Sequence, residues 1–394
     1  VLFAAGAAGA QQREDGIFAG PWLLVPGFTT GLATDSNIFR ASEDNPDVPQ
    51  ESDQILAASA TITAVLPFRN SVFSMNYQAT HLEYNKFKFD RDLAQRGGFD
   101  LQFNFGSGDT VETSGAFILG ITDVRQFDPG GEATFRGEPY DKYVWEIAVK
   151  RRVPGRRGYD VGYAGSSLEF EPSVNVGFFN YRGGEGFLAY REPVSERWWL
   201  VGEVTIRDFD HTLANDPSGE VFRREESRLY EIGFRGLAGR RQPLVATLGY
   251  GDYRFPGSGT SGFQGLVGLF RWSLPIGAAT SVRIGADRRA RPSFYANQSY
   301  FVSDQIVAVF ERRFRKHSSV GLDVLLGRNE YGEPDEDGIV RKDRRWSGDL
   351  YFDFKLTRVF GFRVSLIKER RTSNIDRFDY DAFLTFTGIT LGWI

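Results

Sequence analysis

The sequence predicts an all-β chain that closes into a transmembrane up-and-down antiparallel β-barrel of about 18 strands, with 16 as the alternative count. Three observations carry this expectation. Polar and apolar side chains alternate with period two through most of the chain. The alternating stretches come in pairs joined by short turns, and longer polar loops separate the pairs. No run of about 18 apolar residues exists and the mean hydropathy is negative, which argues against spanning helices and is compatible with strands that show lipid only every second residue.

The alternation is plain in Phe99-Asp100-Leu101-Gln102-Phe103-Asn104-Phe105, where Asp100, Gln102 and Asn104 share one face. The stretches Phe73 to Thr80 and Trp346 to Phe354 repeat it. Rows of acids and amides cannot enter a dry core without partners, but they can face water inside a barrel. Phe103 and Leu350, on the opposite parity, then face lipid.

In chain order the strands fall at 22–35, 53–66, 70–84, 95–106, 110–122, 138–151, 158–169, 183–192, 197–209, 224–237, 243–255, 262–274, 279–291, 299–314, 318–331, 341–355, 359–372 and 378–394. Short turns rich in Gly, Pro and Asn fall at 67–70, 106–109, 154–157, 193–196, 238–241, 275–278, 315–317 and 356–358. The long connections fall near 36–52, 85–94, 123–137, 170–182, 210–223, 256–261, 292–298, 332–340 and 373–377. This asymmetry places the short turns and both barrel ends on the periplasmic side. The pattern blurs over 158–192, where the run Arg182-Gly183-Gly184-Glu185-Gly186 lacks the context of a phosphate loop and reads as a bend or bulge.

Before the barrel, residues 1–10 read as a signal-peptide remnant, with Ala8-Gly9-Ala10 as its cleavage site, or else as an N-terminal extension. Residues 11–21 read as a periplasmic N-terminal segment and 22–394 as the barrel. Two aromatic belts are expected at the membrane interfaces. Trp22, Phe68, Phe105, Trp198, Trp272, Phe314, Phe360 and Trp393 mark the short-turn ends. Tyr84, Phe127, Tyr140, Phe209, Tyr253, Tyr300, Tyr331 and Phe378 mark the long-loop ends. No blade repeat of about 40 residues suggests a propeller, and no linker divides the chain into sandwich domains. The absence of cysteine fits an oxidising compartment, and a net charge of −4 gives no reason to expect nucleic acid.

The inward parity carries charge. The expected pore-lining set is Arg283, Asp287 and Arg289, then Glu311 and Arg313, then Arg345, Asp349 and Asp353, then Arg363, Glu369 and Arg371. Arg291 extends the first row, and Glu146, Lys150, Glu203, Arg207, Glu231 and Arg235 extend the set to earlier strands. Rows of mixed sign can pair across strands, with Asp287, Asp349 and Glu369 as partners for Arg289, Arg345 and Arg363. Two readings follow: a hydrated pore for a polar or anionic solute, or a salt-bridged, largely plugged wall. A barrel of this strand number leaves an aqueous channel, which favours the pore.

Two acidic loops stand out. One holds Glu43, Asp44, Asp47, Glu51 and Asp53, and the other Glu333, Asp335, Glu336, Asp337 and Asp343. A calcium- or sugar-binding mouth would use several carboxylates, but no fixed calcium-loop spacing is present, so solvated loops are the simpler reading. The three histidines, His81, His211 and His317, form no recognisable nucleophile–base set, and His81 with Glu83 is the one pair close on a strand face. No catalytic residue, cofactor or metal site is expected, and the chain is not read as an enzyme.

Val25-Pro26-Gly27-Phe28, then Thr34-Asp35-Ser36-Asn37-Ile38-Phe39, then Ser52-Asp53 after the acidic loop, resemble the opening strands of the "beta-barrel porin 2" family. That family has an aromatic residue where Thr34 stands. The motif spans about 30 residues, while the strand rhythm runs through 22–394. The chain end, Phe386 to Ile394, is similar to a barrel-assembly signal, although Ile394 replaces the usual terminal aromatic. The resemblance implies an outer-membrane conduit for a secreted polysaccharide, with periplasmic and inner-membrane export partners. Membrane lipid, lipopolysaccharide and the barrel-assembly machinery complete the expected partners. A structural barrel that anchors an assembly without conducting is the alternative.

Overall fold

The computed structural model describes residues 16–43, 45, 49–88, 92–106, 108–120, 139–153, 155–171, 179–214, 222–239, 242–257, 262–293, 298–314, 318–334, 338–357 and 359–392. The leader expected at 1–10, the connection 123–137, His317, Trp393 and the acids Asp44, Asp47, Asp335, Glu336 and Asp337 lie outside the described residues.

The first strands are β1 (Ile17–Ala19), β2 (Trp22–Asp35), β3 (Asp53–Phe68), β4 (Ser71–Tyr84), β5 (Leu93–Phe105) and β6 (Asp109–Gly120). They are followed by β7 (Tyr140–Arg151), β8 (Gly158–Phe170), β9 (Phe179–Ser195), β10 (Trp198–Leu213), β11 (Phe222–Ala238), β12 (Gln242–Arg254) and β13 (Phe263–Ile276). The last are β14 (Thr280–Pro292), β15 (Tyr300–Phe314), β16 (Ser318–Pro334), β17 (Val340–Lys355), β18 (Phe360–Ser373) and β19 (Tyr380–Gly392). Strands β2 to β19 each pair antiparallel with their chain neighbours, and β19 pairs back onto β2, so 18 strands close one ring. Closure leaves no strand of the ring without a neighbour on either side, as a lipid environment demands.

At the closing seam Gly31 stands opposite Gly388. A Cβ on Gly31 would lie 2.4 Å from the Thr387 carbonyl oxygen, and one on Gly388 would lie 2.6 Å from the Phe386 ring. The seam thus needs two bare backbones, over which Phe386 packs. The pairing of β19 with β2 stops at Gly27. Beyond it β1 folds back on Trp22 to Leu24 and covers the remaining edge of β2. Three residues are too few to show a period in the sequence, so β1 falls within the stretch 11–21 expected as an N-terminal segment.

The glycine run is not a bend or bulge. Gly183, Gly184 and Gly186 lie within β9, paired in unbroken register with both β8 and β10. A Cβ on Gly184 would meet the Tyr163 hydroxyl at 2.3 Å, so the ring of the neighbouring strand occupies the side-chain space that glycine leaves. The aromatic belts also need correcting at the long-loop end. Tyr140, Tyr253 and Tyr331 are buried, and they sit on the parity opposite to exposed neighbours such as Tyr143 and Tyr250. They pack the inside of the barrel mouth. Their order along the strand is as expected, but their face is not lipid.

The two faces separate cleanly elsewhere. Ile206, Tyr230, Ile232, Leu248, Leu266 and Leu326 are exposed on the outer wall. Phe103 and Leu350 share that face. Left in water, such a wall would cost about 25 cal/mol for each Å² of apolar surface, so the fold is matched to a bilayer.

The charged interior

The inner wall presents its charges because strand parity alternates strictly. On β10, with Ile206 outside, Glu203, Thr205 and Arg207 point in. On β11, with Tyr230 and Ile232 outside, Glu231 and Arg235 point in. These residues line an interior cavity of about 830 Å³, bounded by the inner faces of β7 to β15. Contact across the lumen confirms the parity: Arg289 of β14 reaches Glu231 of β11 at 2.7 Å, past the two intervening strands.

The cavity wall is a mosaic of both signs. Lys150 lies 3.8 Å from Glu146 and also pairs with Glu112. Arg207 pairs with Glu185 at 2.6 Å. Asp160 is shared by Arg152, at 3.0 Å, and by Arg191. Arg291 pairs with Asp287 at 2.9 Å, along its own strand. Pairs of this kind stay strong where water is confined and salt screening is weak. Of the expected pore-lining set, Asp287 and Arg289 border this cavity, as do Arg291 and the six residues named on earlier strands. Lys142, Arg152, Asp160, Glu185, Glu225 and Arg271 border it too, and were not singled out from sequence. Of these, Asp160 and Glu185 lie in the stretch 158–192, where the glycines blur the alternation.

The rest of the expected set lies in two other places. Towards the short-turn end, Arg363 faces Asp353 at 3.7 Å and stacks over Tyr351, Arg313 pairs with Glu311 at 3.1 Å, and Asp349 accepts the Ser365 hydroxyl at 2.6 Å. Asp349 stands directly opposite Asp323, and Arg345 opposite Gly327. Arg283 shares the inward parity of Asp287 and Arg289. Towards the long-loop end, on the side of β16 to β19, buried charges pack together inside the barrel. Arg371 is fully buried and donates to the Phe378 carbonyl at 2.6 Å. Arg341 chelates the buried Asp343 at 3.0 and 2.7 Å and lies 3.6 Å from the Phe378 ring centre. Arg40, from the loop after β2, bridges Asp35 and Glu369 at 2.8 Å each. Burial opposes the charge on Arg40, but the Glu369 and Asp35 carboxylates outweigh it and raise its pKa. The expected pairings therefore need correcting: Arg289 takes Glu231 in place of Asp287, and Glu369 takes Arg40 in place of Arg363.

The motif after β2 explains how that loop enters the mouth. Asn37 is fully buried. Its amide donates to the carbonyls of Ala41, at 2.8 Å, and Asp381, at 3.1 Å, and its oxygen accepts from the Ala41 N–H at 3.0 Å. Asp35 accepts the Asn37 N–H at 2.9 Å. The described loop acids serve structure as well: Asp53 accepts from the Lys86 N–H, and Glu333 accepts from Ser299. Among the described residues no group of three or more His, Asp or Glu side chains could hold a metal ion. His81 faces Asp92 at 3.5 Å, not Glu83, and His211 is buried against Phe179 and Tyr181.

No family model matches the chain, and no curated protein matches it. Solved structures do match. OccAB4 of Acinetobacter baumannii is 9% identical over 94% of this chain and 98% of its own, with a TM-score of 0.50. The chain shares their fold, a large closed antiparallel β-barrel. A BenF-like porin from Pseudomonas fluorescens Pf-5 (10% identity, 94% and 98% covered, TM-score 0.49) and the siderophore receptor PirA from Pseudomonas aeruginosa (11%, 94% and 80%, TM-score 0.44) align as well. At such identities the likeness is one of fold.

Proposed function

We propose that the barrel is an outer-membrane pore whose charged lumen passes a polar solute. The observation that carries the reading is the cavity of about 830 Å³ inside a closed 18-strand ring, walled by paired charges of both signs. Such a wall replaces the hydration of a polar solute without offering an apolar trap, and a ring of this size has room for a channel. The opening motif from Val25 to Asp53, by its resemblance, points to a secreted polysaccharide as the solute, with periplasmic export proteins as partners. The structural-barrel reading draws on a specific feature: the Arg40–Asp35–Glu369 and Arg341–Asp343 clusters pack the long-loop end.

Planar-bilayer recording of the purified chain separates the two. A pore gives steady conductance, and Arg235→Gln with Arg289→Gln shifts its selectivity towards cations. Arg289→Gln takes the arginine from Glu231 beside the cavity and leaves its charge uncompensated, which adds to the shift. A chain that inserts but never conducts sinks the pore reading and leaves the scaffold.

A further inference from the structure

The outer wall carries a feature that conduction does not use. On β14 to β17, Arg288, Asp304, Arg328 and Arg344 stand directly opposite one another in one row. They share the outward parity of Ile306 and Leu326, about four residues below the long-loop ends of their strands. Arg288 and Asp304 satisfy each other at 2.7 and 2.8 Å. Arg328 and Arg344 do not, because like charges face each other across the strand pair, an arrangement that is destabilising without an anion between them. Arg328 reaches Glu330 at 3.0 Å, but Lys342 shares that carboxylate at 2.9 Å. Arg370, opposite Trp346 on β18, extends the cluster, and its neighbour Asp381 is taken by Lys368. Among the described residues, Arg344 and Arg370 have no carboxylate within ion-pair distance.

Immediately below this row lies an apolar one, running Phe270, Ala286, Ile306, Leu326 and Trp346. A groove of about 1110 Å³ opens there, with Arg288, Arg328 and Arg344 along it and Leu266, Ile306 and Leu326 among its apolar lining. Guanidinium forks above and an apolar groove below match one kind of molecule: an amphiphile whose phosphates adjoin its acyl chains. We propose that this groove docks the lipid A part of lipopolysaccharide in the outer leaflet, with a phosphate between Arg328, Arg344 and Arg370 and an acyl chain along Ile306 and Leu326. The phosphate removes the repulsion between the facing arginines. The assignment rests on the barrel's orientation, not on conduction, so it stands or falls independently of the pore.

The test is native mass spectrometry of the full chain in detergent, with bisphosphorylated lipid A and its fully dephosphorylated counterpart as probes. The expected result is one retained bisphosphorylated lipid, binding at least tenfold more tightly than the dephosphorylated one. This comparison needs no variant, so an assembly defect cannot blunt it. Arg344→Gln with Arg370→Gln should lose about that tenfold, and Arg344→Lys, which keeps charge but not the fork, should lose part of it. Arg312→Gln, on the outer wall at the short-turn end, should lose none. Equal binding of the two lipids, or undiminished binding by the double variant, would overturn the proposal in favour of plain annular contact. A double variant that instead changes the mass of the assembly would assign the row to contact with a second copy and overturn it as well.

Discussion

Asn37 ties the loop after β2 into the barrel mouth. Its side chain makes three hydrogen bonds from a fully buried position, and those bonds hold the loop that delivers Arg40 to Glu369. Asn37→Ala leaves the Ala41 N–H and two carbonyls without their partner, at about 1–3 kcal/mol. The expected outcome is a lower denaturant midpoint for the refolded barrel, together with faster protease cleavage within 38–52. Loss of stability without new cleavage would mean that Asn37 supports the seam beside Asp381 and not the loop. The motif residues Asp35 and Asn37 were readable as a pattern in the sequence, but their work was not. It depends on Asp381, more than three hundred residues away in the chain.

At the level of the strand, depth in the membrane decides what a substitution costs. Phe99 and Phe103 both face outwards on β5, but Phe99 lies at the middle of the strand and Phe103 next to its short-turn end. Arg in place of Phe99 should cost roughly 2–4 kcal/mol, and in place of Phe103 about 0–1. Equilibrium unfolding from lipid vesicles measures both, and equal costs would show that the membrane band is placed wrongly along β5. Strand positions were legible in the sequence for the same reason that this prediction is possible. A period of two with turn residues at the ends fixes where a strand runs and which side chains share a face. It failed where the residues stopped reporting the face: at Gly183, Gly184 and Gly186, which have no side chains to alternate, and at Tyr140, Tyr253 and Tyr331, where an aromatic near a strand end fits a lipid belt or a packed mouth equally well. Pairing was harder still. Arg289 and Glu231 meet only because the ring curves β14 towards β11, and no local spacing encodes that curvature.

For the molecule as a whole, transport is governed at the mouth. The lumen holds a wide charged cavity on the β7 to β15 side, whereas Arg40, Arg341, Asp343 and Arg371 fill the long-loop end on the side of β16 to β19. The loop from 36 to 52 is the removable part of that packing. β2 ends at Asp35 directly opposite Asp53, where β3 begins, so a hairpin linker of about 2–5 residues spans the gap without disturbing the register. Replacing residues 38–50 by such a linker takes out Arg40 and Ile38 together and leaves Glu369 facing water. If the barrel conducts, single-channel conductance should rise several-fold. Arg40→Gln, which spares Glu43, Asp44 and Asp47 of the loop, should move selectivity towards cations, because Glu369 and Asp35 lose their shared arginine while the cavity charges stay as they were. The effect should shrink in molar salt, where screening reaches only about 3 Å. A shortened barrel that assembles normally but conducts no better than the parent would show that the loop is not the constriction. If both stay silent, the packed interior is a permanent wall, and the chain's role is that of an anchor.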